Sequence, residues 1–180
     1  DEASVAAHLS ALQSGFERVV VATGALEIAG TGPEKTIKAI RAEAMAQQFA
    51  VNAIGPALVL AQAGRLLVKG RPTCFAVLSA RVGSIADNHL GGWVSYRAAK
   101  AALNQIVRTS AIEVARSHPQ ACVVSLHPGT VASAFTEKYL GRHPSVEPDV
   151  AAENLVAVLD RLQPQDTGGF FDYAGATIEW

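Results

Sequence analysis

Tyr96 and Lys100 lie four residues apart in the run Tyr96-Arg97-Ala98-Ala99-Lys100, so a helix would place the phenol and the ammonium on one face. A nearby fixed cation favours the phenolate, and we therefore expect Lys100 to lower the pKa of Tyr96. A tyrosine tuned in this way can exchange a proton with a carbinol oxygen while hydride moves at the adjacent carbon. The spacing alone often arises by chance, so its meaning depends on the surrounding elements.

Short apolar runs alternate with longer helical stretches along the chain. Strands are predicted at Arg18–Thr23, Thr73–Leu78, Cys122–Leu126 and Gly169–Tyr173. Helices are predicted over Ser4–Leu12, Lys35–Val68 with a kink or division at Pro56, Ser95–Ala115 and Asp149–Leu162. This order predicts one α/β domain over residues 1–180, with a doubly wound parallel sheet between helices in three α/β/α layers.

The residues that follow the predicted strands define a candidate binding site. Carboxyl ends of parallel strands meet at one edge of a sheet, and ligands bind in the crevice beyond them. The residues expected to line that crevice are Thr23-Gly24, Ser79-Ala80 and His127-Pro128-Gly129-Thr130. Tyr96 opens the helix that follows the second of these strands, so the phenol is expected beside the same crevice.

Composition and charge argue against several classes of partner. The chain is 49% hydrophobic, and its formal net charge is -1, which leaves no basic surface for nucleic acid or an anionic membrane. The longest apolar stretch, Phe49 to Val68, is interrupted by polar residues and falls short of a membrane span. Cys74 and Cys122 lie inside apolar runs, as expected for reduced thiols in a cytoplasmic protein. No metal site is predicted, because the histidines lack metal-binding spacing.

A resemblance to a known family covers essentially the whole chain. Its strongest part runs from Leu78 to Asn104, LSARVGSIADNHLGGWVSYRAAKAALN, which resembles the short-chain dehydrogenase/reductase family and most of all its C-factor-like and sniffer-like carbonyl reductase branch. VATG, ending at Gly24, resembles the strand end beside the cofactor, and VN, ending at Asn52, resembles the helix asparagine of the catalytic tetrad. HPGTVAS, ending at Ser133, resembles the loop that meets the nicotinamide. The resemblance implies a Rossmann-like fold.

The resemblance also implies a role for each matched residue. Tyr96 would be the general acid in reduction and the base in oxidation, while Lys100 would lower its pKa and hydrogen-bond the nicotinamide ribose. Asn52 would hold a water that relays protons to Lys100; the structural alternative is a helix asparagine that bonds a neighbouring loop. The residues expected to contact NAD or NADP are Thr23, Gly24, Tyr96, Lys100, Pro128, Gly129, Val131 and Ser133.

The serine that would orient the substrate carbonyl departs from the family's pattern. The family has Ser-x-x-Gly after this strand, whereas here Ala80 lies three residues before Gly83. Ser79 and Ser84 are the two candidates for the hydroxyl, and Ser79 is favoured even though one residue's shift in a strand reverses the side chain's face. If neither hydroxyl reaches the substrate, turnover is expected to be low.

The glycine-rich phosphate-binding turn of a dinucleotide-binding domain does not precede Arg18. By the resemblance, Asp1-Glu2 corresponds to the segment just after the family's third strand. We therefore expect either about 55 further residues upstream, a length that holds the first three strands of a seven-stranded sheet, or another chain or a swapped segment that covers the edge of the sheet. With neither, the strand at Arg18–Thr23 would be a bare sheet edge.

The function implied by the resemblance is an NAD- or NADP-dependent oxidoreductase that transfers hydride between nicotinamide and a small carbonyl or alcohol. The alternatives are a non-catalytic C-factor-like protein of intercellular signalling or interaction, and a degraded enzyme fold that acts as an assembly subunit. Apolar helix faces predict a homodimer or homotetramer. Residues 84–94, 133–148 and the aromatic C-terminus through Trp180 are expected to shape the substrate pocket.

Overall fold

The computed structural model describes residues 1–139, 141 and 144–180; Leu140, Arg142 and His143, which belong to the predicted pocket segment 133–148, lie outside the described residues. The strands are β1 (Arg18–Val21), β2 (Thr73–Leu78), β3 (Ala121–His127) and β4 (Phe170–Asp172). They form one sheet in chain order, and every neighbouring pair is parallel. The predicted parallel sheet is confirmed, and each strand boundary falls within two residues of its predicted position.

Helices cover both faces of this sheet. Over the described residues they are α1 (Glu2–Ser10), α2 (Ala42–Phe49), α3 (Gly55–Leu60), α4 (Ala63–Leu66), α5 (Val94–Ser117) and α6 (Pro148–Leu159). None of the described helices is both long and apolar enough to cross a membrane.

Alternate side chains of the central strands pack into two separate cores. On one face, β2 and β3 pack against α3, α4 and α5, in a core that includes Phe75, Val77, Val123, Leu103 and Val107. On the other face they pack against α6, in a core that includes Cys74, Ala76, Cys122, Val124, Val158 and Leu159. Both cysteines are buried free thiols. The predicted three-layer, doubly wound arrangement is therefore confirmed.

The helix predicted from Lys35 to Val68 is wrong at its start. Residues 35–41 precede the helix and contain a 3-10 turn at Ile37–Ala39, capped by the Thr36 side chain. The large apolar side chains of this segment, Ile37 and Ile40, are exposed. A segment without a buried apolar face gains too little from packing to form a stable helix.

The same predicted helix is also divided, as the proline suggested. A π-helical turn at Ala50–Ile54 joins α2 to α3, and Pro56 lies in the first turn of α3. Gly55 donates its N–H to the carbonyl of Ala50, five residues back. Because proline has no N–H, the carbonyl of Asn52 lacks its usual donor four residues ahead. The turn therefore sets Asn52 apart from an ordinary helical residue.

The two outer strands differ in how they are covered. Beyond β4, Asp172 donates its N–H to Ala176 O at 2.9 Å, and Ile178 donates to Phe170 O at 2.8 Å. Among the described strands β1 pairs with β2 alone, and Val20 is 47% exposed. One edge of the sheet is thus covered by the chain's own C-terminal segment, whereas at β1 the edge has no partner among the described strands other than β2.

Candidate active site

A cleft of about 470 Å³ lies at the carboxyl ends of β1, β2 and β3. Its lining includes all the residues predicted to contact a cofactor: Thr23, Gly24, Tyr96, Lys100, Pro128, Gly129, Val131 and Ser133. Ser79, Ala80 and His127 line it as well, whereas Asn52 and Thr130, which was predicted to line it, are not among the lining residues. Of the segments expected to shape the substrate pocket, 133–148 contributes lining residues, but 84–94 and the aromatic C-terminus contribute none. The structure therefore brings the ends of three strands and the start of α5 together, as the topology predicts.

The opposite wall of the cleft is apolar and was not anticipated. It comes from α6, and its lining residues are Pro148, Ala151, Ala152, Leu155, Val156 and Leu159. The helix was predicted, but which of its faces meets the strand ends depends on packing that the periodicity does not specify. A largely apolar cleft with a few polar groups is typical of small-molecule sites.

Tyr96 is buried in the first turn of α5, and burial raises the pKa of its phenol well above the usual range. This overturns the expectation that Lys100 lowers that pKa. The Lys100 ammonium lies 5.9 Å from the centre of the Tyr96 ring and donates to Leu78 O at 3.0 Å. Desolvation of the phenol therefore outweighs the distant cation.

Lys100 is itself buried, and burial lowers the pKa of its ammonium to about 8. Gly24 at the end of β1 leaves open space beside it. A Cβ at Gly24 would stand 3.5 Å from Lys100 Nζ and 3.1 Å from Asn52 Oδ1. The absence of a side chain at Gly24 thus keeps a small polar niche between these two groups.

Asn52 uses its side chain to fasten the loop after β1. Its Nδ2 donates to Ala25 O at 2.8 Å and to Gln48 Oε1 at 2.7 Å, and its Oδ1 accepts from the Ala25 N–H at 3.0 Å. This is the loop-bonding role weighed in the sequence analysis. Both hydrogens of the side-chain amide are engaged, whereas Oδ1 accepts one of the two hydrogen bonds it can make, so a water held by Asn52 would contact Oδ1 or the backbone carbonyl.

The two candidate serines have different surroundings. Ser79 lies in the cleft, and its hydroxyl donates to Asn104 Oδ1 at 2.6 Å. Asn104 Nδ2 is buried and has no hydrogen-bond partner among the described residues. Ser84 lies outside the lining, and its hydroxyl accepts from the Asp87 N–H at 3.0 Å. Asn104 lies one helical turn beyond Lys100, a spacing from which its presence could have been inferred.

Gly83 seats the loop after β2 directly on α5. A Cβ at this position would stand 2.8 Å from Lys100 Cβ and 2.9 Å from the Lys100 backbone carbon. Such contacts are shorter than any side chain tolerates, so only glycine allows this approach. The residue that marks the Ser-x-x-Gly pattern therefore has a packing role against the lysine.

His127 contributes a neutral imidazole to the cleft. Burial, followed by the nearby charge of Arg81, lowers its pKa to about 4, while Asp172 opposes the shift. Its Nδ1 has no hydrogen-bond partner among the described residues. Arg81 instead pairs with Asp172 at 3.0 Å and with Asp87 at 3.3 Å. The Arg81 guanidinium is therefore already engaged by two carboxylates of the protein.

The start of α5 carries an aromatic cluster and a carboxylate. The Trp93 ring lies edge-to-face with Tyr96, 6.3 Å between centroids, and with Tyr139 at 5.2 Å. The carboxylate of Glu34 accepts a hydrogen bond from the Ser95 N–H at 3.1 Å. No sequence signal marked Glu34, because it lies 61 residues from Ser95 in a loop.

The chain matches the sequence profile of one protein family over residues 1–168; that family is described as "Enoyl-(Acyl carrier protein) reductase". The match covers β1, β2 and β3 but not β4, and it includes every lining residue named above.

Two curated relatives are similar over about three-quarters of the chain. The 1-hydroxy-2-glutathionyl-2-methyl-3-butene dehydrogenase of Rhodococcus sp. (strain AD45) is 32% identical over 134 residues, 74% of this chain and 58% of that protein. The C-signal of Myxococcus xanthus is 34% identical over 137 residues, 76% of this chain and 78% of that protein. The chain thus spans little more than half the length of the Rhodococcus dehydrogenase.

Two solved structures share the fold. The carbonyl reductase Sniffer of D. melanogaster superposes with a TM-score of 0.81 at 21% identity, over 99% of this chain and 73% of that one. An NADPH-bound carbonyl reductase from chicken fatty liver gives a TM-score of 0.79 at 25% identity, over 99% of this chain and 68% of that one. The Rossmann-like fold is therefore confirmed.

Proposed function

Because this chain belongs to the short-chain dehydrogenase/reductase family, we propose that it acts as an oxidoreductase that uses NADP or NAD and reduces a small carbonyl compound or oxidises the corresponding alcohol. The observation that carries the proposal is the convergence of Tyr96, Lys100 and three strand ends on one cleft. The Rhodococcus dehydrogenase and the NADPH-bound carbonyl reductase support the same chemistry.

The residues of the cleft fit the nicotinamide half of such a cofactor. The niche left by Gly24 lies between Asn52 and Lys100, where a ribose hydroxyl could bond the ammonium. Pro128, Gly129, Val131 and Ser133 line the same cleft beyond β3, and Thr23 lies beside Gly24. When bound, the reduced nicotinamide supplies the hydride and the oxidised form accepts it. We propose these residues as the contacts for the nicotinamide and its ribose.

Tyr96 would transfer the proton. Its raised pKa keeps the phenol protonated at neutral pH, so in reduction it can donate to the oxygen on which negative charge develops. The Lys100 ammonium, on the same helix face, would stabilise the phenolate left behind. In oxidation the same steps run in reverse, with Tyr96 as the base.

A water bound to the backbone carbonyl of Asn52 would return the proton to Lys100. The π-helical turn and Pro56 leave the Asn52 carbonyl without its usual donor, and buried carbonyls of this kind commonly bind an ordered water. A water there would link the niche at Gly24 to Lys100. The side-chain amide of Asn52 keeps its hydrogen bonds to Ala25 in the loop after β1.

Ser79 is the hydroxyl that we propose for orienting the substrate carbonyl. Its proton is directed to Asn104 Oδ1, while Asn104 Nδ2 has no partner among the described residues. Rotation of the Asn104 amide by half a turn would let Nδ2 donate to the Ser79 oxygen. That exchange satisfies the amide donor and frees the hydroxyl proton for a substrate oxygen.

The second candidate function is signalling or interaction without catalysis. The similarity to the C-signal of M. xanthus favours it, and so does Ala80 at the position where the family has its serine. In that case the cleft would bind no cofactor or would bind one without turnover.

Cofactor titration together with the variant Tyr96→Phe tests the proposal. We expect saturable binding of NADPH or NADH, followed by nicotinamide fluorescence, and a loss of carbonyl reduction of about 100-fold or more in Tyr96→Phe. Tyr173→Phe is the matched control, because Tyr173 is exposed and lies outside the lining residues. Full turnover in Tyr96→Phe would overturn the assigned chemistry, and cofactor binding without turnover in the unmodified protein would favour the second function.

We also propose that the protein is a cytoplasmic homodimer or homotetramer. Ile54 and Ile112 are exposed apolar side chains on the helical layer of α2 to α5, and a second copy would bury them. Light scattering should give at least twice the monomer mass, and Ile112→Glu should reduce it. A monomer at micromolar concentration would contradict the assembly.

A further inference from the structure

Glu34 makes three hydrogen bonds to the turn that starts α5. Its carboxylate accepts from the Ser95 N–H at 3.1 Å and from the Ser95 hydroxyl. Its backbone carbonyl accepts from the Trp93 N–H at 2.6 Å. Glu34 is only 9% exposed, and Ser95 is buried beneath it. A single loop residue thus fastens Trp93 and Ser95, which directly precede Tyr96.

Helix α5 needs this outside acceptor. The first N–H groups of any helix lack partners within the helix, and the capping residue Trp93 offers no side-chain hydrogen bond. A carboxylate is favoured there because the start of a helix carries partial positive charge. Burial alone would raise the pKa of Glu34, yet the hydrogen bonds from Ser95 and the backbone outweigh it and lower the pKa. Glu34 is therefore ionised at neutral pH.

The backbone just before α5 is strained, so the contact with Glu34 prevents this strain from relaxing. Gly91, Gly92 and Trp93 have φ angles of +64°, +68° and +53°. Glycine adopts this left-handed conformation readily, whereas the side chain of tryptophan makes it unfavourable. Trp93 remains in it while its N–H is bonded to the Glu34 backbone carbonyl and its neighbour Ser95 is held by the Glu34 carboxylate. If the carboxylate bonds to Ser95 were lost, relaxation of Trp93 would turn the first residues of α5.

The loop that carries Glu34 is anchored at its other end. Asn52 bonds both the N–H and the carbonyl of Ala25, and Gln48 Nε2 donates to Leu26 O at 2.9 Å. Residues 25–34 therefore connect the π-helical turn that holds Asn52 to the start of the helix that holds Tyr96. Because the loop is also anchored at its start, Glu34 can hold the first turn of α5 in place instead of moving with it.

We propose that Glu34 is a positioning residue, which holds the Tyr96 phenol in its reactive orientation by fastening the turn Trp93–Ser95. The kinetic consequence rests on the proposed function, in which Tyr96 transfers the proton. The structural consequence does not, since it concerns only the conformation of Trp93. The two can therefore be measured separately.

The structural test uses Trp93 as a reporter. The chain has two tryptophans, so Trp180→Phe leaves Trp93 as the sole emitter. In that background Glu34→Gln should raise the acrylamide quenching constant of Trp93 at least about twofold, because loss of a carboxylate bond to Ser95 loosens the turn and exposes the half-buried Trp93 ring. Glu43→Gln, an exposed carboxylate in the first turn of α2, is the matched control and should change nothing. Unchanged quenching in folded Glu34→Gln would overturn the proposal.

The kinetic test separates positioning from binding. Glu34→Gln should lower kcat about tenfold, because small displacements of a reacting group are costly, while the KM for the cofactor stays within about twofold. A rise in KM with unchanged kcat would contradict the proposal. If the unmodified protein shows no turnover, the proposed function fails, and the quenching result still decides the role of Glu34.

A double-mutant cycle distinguishes loss of the contact between Glu34 and Ser95 from a general loss of structure. Ser95→Ala removes one partner and keeps the fold's apolar packing, so it remains informative if Glu34→Gln unfolds. We expect Ser95→Ala to lower kcat, and the double variant to lose no more than about twofold beyond Glu34→Gln, since both changes break one contact. Fully multiplicative losses would show that Glu34 acts by another route.

Discussion

The floor and the rim of the cleft are held in different ways. The floor, defined as Gly24, Asn52, Ser79, Tyr96 and Lys100, is buried except at the glycine and is bonded largely to backbone atoms. The rim, defined as residues 85–92, was expected from the sequence to shape the substrate pocket; it contributes no lining residue to the cleft and places Ile85 (78% exposed) and Leu90 (86% exposed) in solvent. The groups proposed for chemistry are thus fixed, while this loop has few contacts to lose.

The difference follows from the sequence separation of the contacts. Floor contacts join distant segments: Lys100 bonds Leu78, and Asn52 bonds Ala25. Rim contacts are mostly local, such as the Gly91 N–H to Asn88 Oδ1 at 3.1 Å. A change in the floor therefore affects two elements, whereas a change in the rim affects mainly its own loop, which bonds to distant residues at Ala86 and Gly92.

Loss of the Lys100 ammonium should have the largest effect. In Lys100→Met we expect turnover to fall about 100-fold or more. The phenolate of Tyr96 would lose the cation that stabilises it, and the proton relay would lose the group at which it ends. Lys69→Met, at an exposed position, is the control. Steady-state carbonyl reduction measures both, and turnover within about threefold of the unmodified protein in Lys100→Met would remove Lys100 from the mechanism.

The buried ammonium should also make stability depend on pH. The pKa of Lys100 is about 8 in the folded protein, below that of an unfolded lysine. Between pH 8 and pH 10 the unfolded chain therefore binds more protons, and the free energy of unfolding rises with pH. Relative to Lys100→Met, urea unfolding should show a gain on the order of 2 kcal/mol over this window. A flat difference would mean that the folded protein does not depress this pKa.

Adding one methyl group to each region compares their packing directly. Gly83→Ala should lower the free energy of unfolding by about 2 kcal/mol, because its Cβ would meet the Lys100 backbone. Gly91→Ala has open space around it, so only its left-handed backbone is strained, at about 1 kcal/mol. Turnover should fall at least about fivefold in Gly83→Ala alone. Equal effects on turnover would erase the distinction between floor and rim.

The direction of the hydrogen bond at Ser79 offers a finer test. Asn104→Asp supplies only an acceptor, so the Ser79 proton stays directed at it and turnover should fall about tenfold. Gln105→Glu, the exposed neighbour, is the control. Ser79→Ala should match Asn104→Asp if the serine orients the substrate. Full turnover in Ser79→Ala would exclude this role for the hydroxyl, even if the aspartate variant fails to fold.

The rim should tolerate change with the smallest effect. In Leu90→Ser we expect kcat within about twofold and a free energy of unfolding within about 0.5 kcal/mol of the original. The KM for an apolar carbonyl substrate should rise about threefold if Leu90 covers the bound substrate. A large loss of stability would show that the loop is packed more firmly than its exposure indicates.

The sequence predicted the elements and the meeting of their ends because both depend on local patterns. Apolar runs located the strands, and the parallel topology then placed Thr23, Ser79 and His127 at one cleft. The four-residue spacing put Tyr96 and Lys100 on one helix face. Each of these predictions needs only neighbouring residues and the general geometry of parallel sheets.

The remaining features depend on burial and on contacts between distant segments. The rise in the pKa of Tyr96 reflects desolvation, which no spacing shows. The capping of α5 by Glu34 requires knowing where a loop passes. Residues 35–41 carry apolar side chains at helical spacing, yet Ile37 is 73% exposed, so this segment lacks the buried apolar face that would stabilise the expected helix.

Val20 belongs both to strand β1 and to the lining of the cleft. Any strand that pairs with β1 will therefore also alter the space in which a ligand binds. A strand that pairs with β1 and a ligand that fills the cleft would therefore meet at Val20, and each would change the free energy with which the other binds.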